Sequence, residues 1–129
     1  MKIEHVALGY NSEEESDRFF VELLGLKKTQ SKSVSNDLME KFFGVKKEHK
    51  YVVYEDENSK FEVFITDDRS RARDVFTHCC ILIENRDEFL NKAISMGFES
   101  VKVLRQDGNG YYLFIKDSFQ NLYEVKEKE

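Results

Sequence analysis

Two histidines and two glutamates occupy matched places in two similar stretches of this chain. His5 sits in the apolar run IEHVALGY and His78 in FTHCCILIE, while Glu62 lies in FEVF and Glu124 in YEVK, each glutamate between an aromatic residue and a valine. Counting to the next helix-ending glycine, His5 lies 20 residues before Gly25 and His78 19 before Gly97. Taken alone, a strand histidine finds a hydrogen bond and a strand glutamate points to water. Four such residues in register across a repeat are much harder to reach by chance. Two imidazoles and two carboxylates suit a divalent transition ion of intermediate hardness, with coordination positions left for water or substrate.

The hydrophobic period gives the elements that must position these residues. KIEHVALGY reads as a strand, in which alternation puts His5 on one face with Ile3, Ala7 and Gly9, small neighbours that leave space beside the imidazole. NSEEESDRFFVELLGL reads as a helix capped by Ser12, with Phe19, Phe20, Leu23 and Leu24 on one face and Gly25 as its stop. LKKTQSKSVS follows as a polar strand. NDLMEKFFG is a short helix opened by Asn36 and ended by Gly44, whose face of Leu38, Met39, Phe42 and Phe43 would either lid a cavity or cap the open end of the sheet. YVVYEDENSKFEVFIT makes two strands and a turn. The programme then restarts: FTHCCILIEN is a strand, RDEFLNKAISMG a helix closed by Gly97, and SVKVLRQ, GYYLFIK and NLYEVKE are strands joined by the turns DGNG and DSFQN. The expected organisation is a single α+β domain, 1–129, of two tandem βαβββ units: unit one about 1–66, a charged connector 67–74, and unit two about 75–129.

Composition removes several function classes. A chain of 129 residues buries a core without disulfides or a structural metal, so a metal here is expected to be functional. The net charge of −5 and pI near 5.3 argue against nucleic acid or an anionic membrane as partner. MKIEHVALGY lacks the zones of a signal peptide and no apolar run approaches the roughly 20 residues of a membrane helix, which gives the expectation of a cytoplasmic protein. Cys79 and Cys80 are strand neighbours whose side chains leave opposite faces, so they are expected as reduced thiols rather than a disulfide or thiolate site. Cys80 shares the face of His78 with Phe76 and Leu82, but no third group orients the pair for nucleophilic chemistry. His49, among lysines, reads as solvated. DGNG lacks the strand-to-helix context of a phosphate loop and reads as a hairpin turn.

A repeated strand-helix-three-strand unit, with histidine in its first strand and glutamate in its last, resembles the vicinal oxygen chelate superfamily, which includes glyoxalase I, epimerases, extradiol dioxygenases and fosfomycin resistance enzymes. The resemblance spans almost the whole chain. FIKDSFQNLYEV is similar to the family ending F-x-x-D-P-x-G-N-x-x-E-V, with Asp117, Asn121 and Glu124 at the family spacing and Ser118 and Gln120 in place of the proline and glycine.

The resemblance implies a curved mixed sheet with helices outside. Its ligand set is most similar to that of short bacterial glyoxalase I, which would make His5, Glu62, His78 and Glu124 the metal ligands, with nickel or zinc foremost and manganese, cobalt or iron as alternatives. It implies a lyase or isomerase acting on a small vicinal-oxygen substrate, an α-oxo compound or hemithioacetal, with Glu124 also the base. The ion would act as a Lewis acid that stabilises an enediolate formed by proton abstraction. Ala7, Cys80, Phe64 and Leu122 would line the cavity, and a homodimer is expected. The alternatives are a non-catalytic binding or resistance protein of the same fold, similar to bleomycin-resistance proteins, or another superfamily reaction: epimerase, dioxygenase or thiol transferase. Where bacterial glyoxalase I holds glutathione, this chain has VFITDDRSRARD, so the use of glutathione stays open.

Overall fold

The computed structural model of the chain describes residues 4–67 and 78–128. The first residues of the expected opening strand, most of the charged connector and Phe76 lie outside the described residues, as does the side chain of Phe42. The chain divides into two compact units, Met1–Arg71 and Ala72–Glu129.

In the first unit, β1 (Val6–Tyr10) leads to a helix that begins as α1 (Glu13–Asp17), and β2 (Lys27–Val34), α2 (Asn36–Phe43), β3 (His49–Glu55) and β4 (Lys60–Ile65) follow. The strands form a mixed sheet in the order β1-β4-β3-β2, with β1 parallel to β4 and the other pairs antiparallel. The second unit repeats the arrangement with β5 (His78–Ile83), α3 (Arg86–Ser95), β6 (Glu99–Leu104), β7 (Tyr111–Lys116) and β8 (Leu122–Glu127), in the order β5-β8-β7-β6. The two sheets and three helices make the expected two-unit α+β fold. The first unit differs by carrying α2, where the second has only the turn between β6 and β7.

Helix ends follow local chemistry. Ser12 caps α1 by accepting from Glu15 N–H at 3.2 Å, and Asn85 caps α3 by accepting from Glu88 N–H at 3.0 Å. The short helix is capped by Ser35 rather than Asn36: Ser35 keeps extended backbone and its Oγ accepts from Leu38 N–H at 3.3 Å, while Asn36 is already helical. α1 does not continue as an α-helix. Residues Arg18–Leu23 wind as a π-helix, with Leu24 N–H donating to Phe19 C=O at 3.0 Å, until Gly25 ends it at φ 75°.

Strand alternation gives each sheet a helix-packed face. Phe20 of the π-helical segment stacks on Tyr54 at 5.0 Å between centroids and meets Phe61 at 4.9 Å and Tyr10 at 5.7 Å, and all four rings are buried. Truncating Phe20, which is fully buried, would cost about 3–5 kcal/mol. In the second unit Phe89, Leu90 and Ala93 of α3 are buried, as are Leu113, Ile115, Tyr123 and Val125 on alternate strand positions. The polar residues of interest, Glu62 and Glu124, point to the opposite faces.

His49 departs from its expected solvated role. It opens β3 and is buried, with Nδ1 2.8 Å from Lys47 C=O, because the lysines around it reach outward while its own ring turns in.

Candidate metal centre

In the first unit His5 stands immediately before β1, and Glu62 is in β4, paired in register with Ala7 of β1. The small Ala7 leaves the imidazole and carboxylate room to meet: His5 Nε2 lies 3.0 Å from Glu62 Oε2. The other ring nitrogen, Nδ1, contacts Glu4, whose second oxygen accepts from Lys60 Nζ at 3.2 Å. Contact with His5, and next with Lys60, holds the Glu4 carboxyl below the usual carboxylate range. Donor atoms of Glu4, His5 and Glu62 all fall within 4.8 Å of one another. One imidazole cannot give both nitrogens to one ion, so Glu4 is the group that orients the ring and Nε2 is the nitrogen presented with Glu62.

Glu62 is held from its other side. Its side chain is only 15% exposed, and Tyr51 O–H donates to Oε1 at 2.7 Å. Burial, and secondarily the hydrogen bond to Glu62, push the Tyr51 phenol up to about 12, so it stays a donor at any physiological pH. Phe64, two residues along β4 on the same face, meets Tyr51 at 5.4 Å and Phe43 at 5.2 Å. Through Phe43, α2 thus rests on the face that carries Glu62. Among the described side chains of this helix Met39 is buried, while Leu38 and Phe43 are largely exposed.

The second unit repeats the pair with looser contacts. His78 is the first residue of β5 and Glu124 lies in β8; His78 Nε2 is 3.5 Å from Glu124 Oε2, and Lys126 Nζ is 3.9 Å from Oε1. The His78 ring meets Phe114 edge-on at 5.5 Å. Leu122 pairs in register with His78, and Cys80 with Glu124. Cys80 is exposed on the histidine face, while Cys79, half-buried on the other face, has its thiol pushed up to about 11 by burial. Both cysteines are free thiols.

Each unit therefore brings one expected histidine to its expected glutamate. The donor chemistry, imidazole Nε2 beside a carboxylate oxygen in both pairs, fits a divalent transition ion. Glu4 and Tyr51 are participants that reading the sequence for strands alone misses. The first is adjacent to His5. The second is recoverable from the β3–β4 turn, where Asp56 Oδ1 accepts from Asn58 and Ser59 N–H at 2.8 Å and sets Val53 opposite Glu62, and so Tyr51 diagonal to it.

Asp117 and Asn121, noted at the family spacing, build the turn before β8. Asp117 is buried and accepts from Phe119 N–H, Asn121 N–H and Asn121 Nδ2 at 2.9 Å and from Tyr123 O–H at 3.0 Å. Gln120, where the family pattern has glycine, adopts φ 66°.

No family model matches the sequence and no curated relative does so. Solved structures do match over nearly the full length. A glyoxalase family protein from Bacillus cereus covers 98% of this chain and 93% of its own at 18% identity and TM-score 0.77. One from Enterococcus faecalis covers 96% and 95% at 21% identity and TM-score 0.73. The fold is the glyoxalase fold. The fosfomycin resistance protein FosX from Listeria monocytogenes shares it, at 14% identity and TM-score 0.73 over 100% of this chain and 94% of its own. These glyoxalase-fold neighbours belong to the vicinal oxygen chelate superfamily that the sequence resembles. A mutant of the Listeria protein has been solved with Mn(II) and a dihydroxypropylphosphonic acid. Among the described residues of this glyoxalase-fold chain, no helix is long and apolar enough to cross a membrane.

Proposed function

We propose that the protein is a metal-dependent enzyme of the glyoxalase type, acting on a small substrate with vicinal oxygens by proton abstraction. The observation that carries this reading is the recurrence, in both units, of a histidine Nε2 beside a glutamate Oε2, at 3.0 and 3.5 Å, on the sheet face opposite the buried strand residues. His5, Glu62, His78 and Glu124 would be the metal ligands, with nickel, zinc or manganese as first candidates. The ion would supply Lewis-acid polarisation of the substrate oxygens.

The protein's own groups divide the remaining work. Glu62, tied by Tyr51, is suited to stay in place. Glu124, whose nearest polar partners among the described residues are His78 at 3.5 Å and Lys126 at 3.9 Å, is suited to swing and take a proton at a carboxylate oxygen. Phe64 and Phe114, one on each histidine-bearing face, would keep water from the substrate. The two free thiols agree with a reducing, cytoplasmic setting. A homodimer is part of the proposal and is tested by light scattering.

Metal analysis of protein purified without chelator tests the reading, followed by turnover of a glutathione hemithioacetal and, in parallel, of fosfomycin. Near-stoichiometric uptake of nickel, zinc or manganese, lost in His5→Ala and His78→Ala, is expected. Protein that takes up none of these ions would sink it.

A further inference from the structure

The two glutamates are not equivalent. The strand residue opposite Glu62 is Val53, and the one opposite Glu124 is Phe114. Two residues before each stands a tyrosine, Tyr51 in β3 and Tyr112 in β7. Such diagonal neighbours lie about 7–8 Å apart along the backbone, within reach of a tyrosine hydroxyl. Tyr51 uses that reach and donates to Glu62 Oε1 at 2.7 Å. Tyr112 is 43% exposed and has Arg105 over its ring at 4.5 Å.

The Tyr51 ring is itself fixed. Phe64 meets it at 5.4 Å and Lys32 Nζ lies 5.4 Å from its centroid, so the hydroxyl is delivered by a clamped ring rather than a free one. Its bond takes Oε1 and leaves Oε2, the oxygen 3.0 Å from His5 Nε2, as the donor Glu62 presents. A carboxylate without such a partner can offer both oxygens.

We infer that Tyr51 is a positioning residue which reserves Oε1 of Glu62, so that this glutamate serves as a one-oxygen ligand beside His5. The inference rests on the proposed metal-binding role. Removing an outer-sphere partner of a ligand typically lowers metal affinity about 10–100-fold. Loss of this partner would also let Oε1 close on the ion and displace a bound water.

The test is titration of wild-type protein and Tyr51→Phe with Mn(II), followed by electron paramagnetic resonance, together with water proton relaxation to count water on the bound ion. Phenylalanine keeps the ring contacts, and circular dichroism checks the fold. The expected result is about tenfold or greater weakening together with loss of a metal-bound water. In a Glu62→Gln background, Tyr51→Phe should produce no further change. Wild-type affinity and water count in Tyr51→Phe would overturn the inference, and so would weaker binding with the water retained, which is what general loosening gives. Wild-type protein that binds no Mn(II), nickel or zinc would instead overturn the metal reading itself and take this inference with it.

Discussion

Asn121 is tied to Asp117 twice, through its backbone N–H and through its side-chain amide, both at 2.9 Å. With Phe119 N–H and Tyr123 O–H, four donors converge on one carboxylate that is 2% exposed, and the turn they build sets where β8, and hence Glu124, begins. Asp117→Asn keeps the shape but turns an amide NH₂ toward groups that are themselves donors. We expect a loss of about 2–4 kcal/mol in urea unfolding. A variant within experimental error of wild type would show that the turn is held by something else.

Gln120, in the same turn, holds a left-handed backbone at φ 66°. Glycine adopts this region without the Cβ penalty, though it gains more freedom when unfolded. Gln120→Gly should therefore stabilise the protein by about 0.5–1 kcal/mol, read as a rise in the urea midpoint with an unchanged slope.

Tyr54 is fully buried, donates to Asp17 Oδ1 at 2.6 Å and shares a 2.5 Å hydrogen bond with Ser16 Oγ. Tyr54→Phe removes both bonds. Ser16 keeps Glu13 C=O as its acceptor and Asp17 keeps Lys28, so the cost should be moderate, about 1–3 kcal/mol. Thermal or urea unfolding measures it. A loss above that range would mean that the phenyl ring has no stable place without its hydroxyl.

Glu13 joins α1 to the sheet through Lys28 Nζ at 2.5 Å, Lys50 and Ser31 Oγ at 3.2 Å. These contacts, Lys28 first, hold its carboxyl at about 2 against an ordinary 4.5. A depressed carboxyl contributes stability that is present above its unfolded pKa and lost as pH falls through its folded one. Wild-type stability should thus decline between about pH 4.5 and pH 2, and Glu13→Gln should show a shallower decline over that window. Coincident acid profiles for the two proteins would refute the assignment.

Glu4 orients His5 from an exposed position, with its side chain 67% accessible, so its contribution is expected at the low end of outer-sphere effects. Glu4→Gln should weaken Ni(II) or Mn(II) binding by about tenfold at most, with Glu4→Ala at least as weak. Calorimetric titration distinguishes this from an ordinary surface substitution, which would leave affinity unchanged.

Much of this structure was legible in residue order. Apolar alternation located the strands, and the matched histidines and glutamates located the pairs that come together, because strand alternation and the twofold repeat are both written in sequence. What was not legible depended on register or on competition between equivalent signals. Ser35 and Asn36 are both good capping types, and only backbone conformation decides between them. His49 sits among lysines that mark a polar stretch, yet its own side chain turns inward. Tyr51 acquires its role only when the β3–β4 register sets it diagonal to Glu62. Phe19, Phe20 and Leu23 fit either an α- or a π-wound turn, so their pattern could not foretell the wider winding.

That wider winding accounts for a mismatch in the repeat. From histidine to helix cap both units count seven residues, His5 to Ser12 and His78 to Asn85; from cap to glycine the first counts thirteen, to Gly25, and the second twelve, to Gly97. The additional residue falls in the helix that contains Arg18–Leu23, where it is taken up as a bulge in the coil instead of being passed down the chain. An insertion absorbed in this way leaves the following strands in phase. It is how one copy of a duplicated unit can change length while its glutamate still arrives in register with the residue two after its histidine.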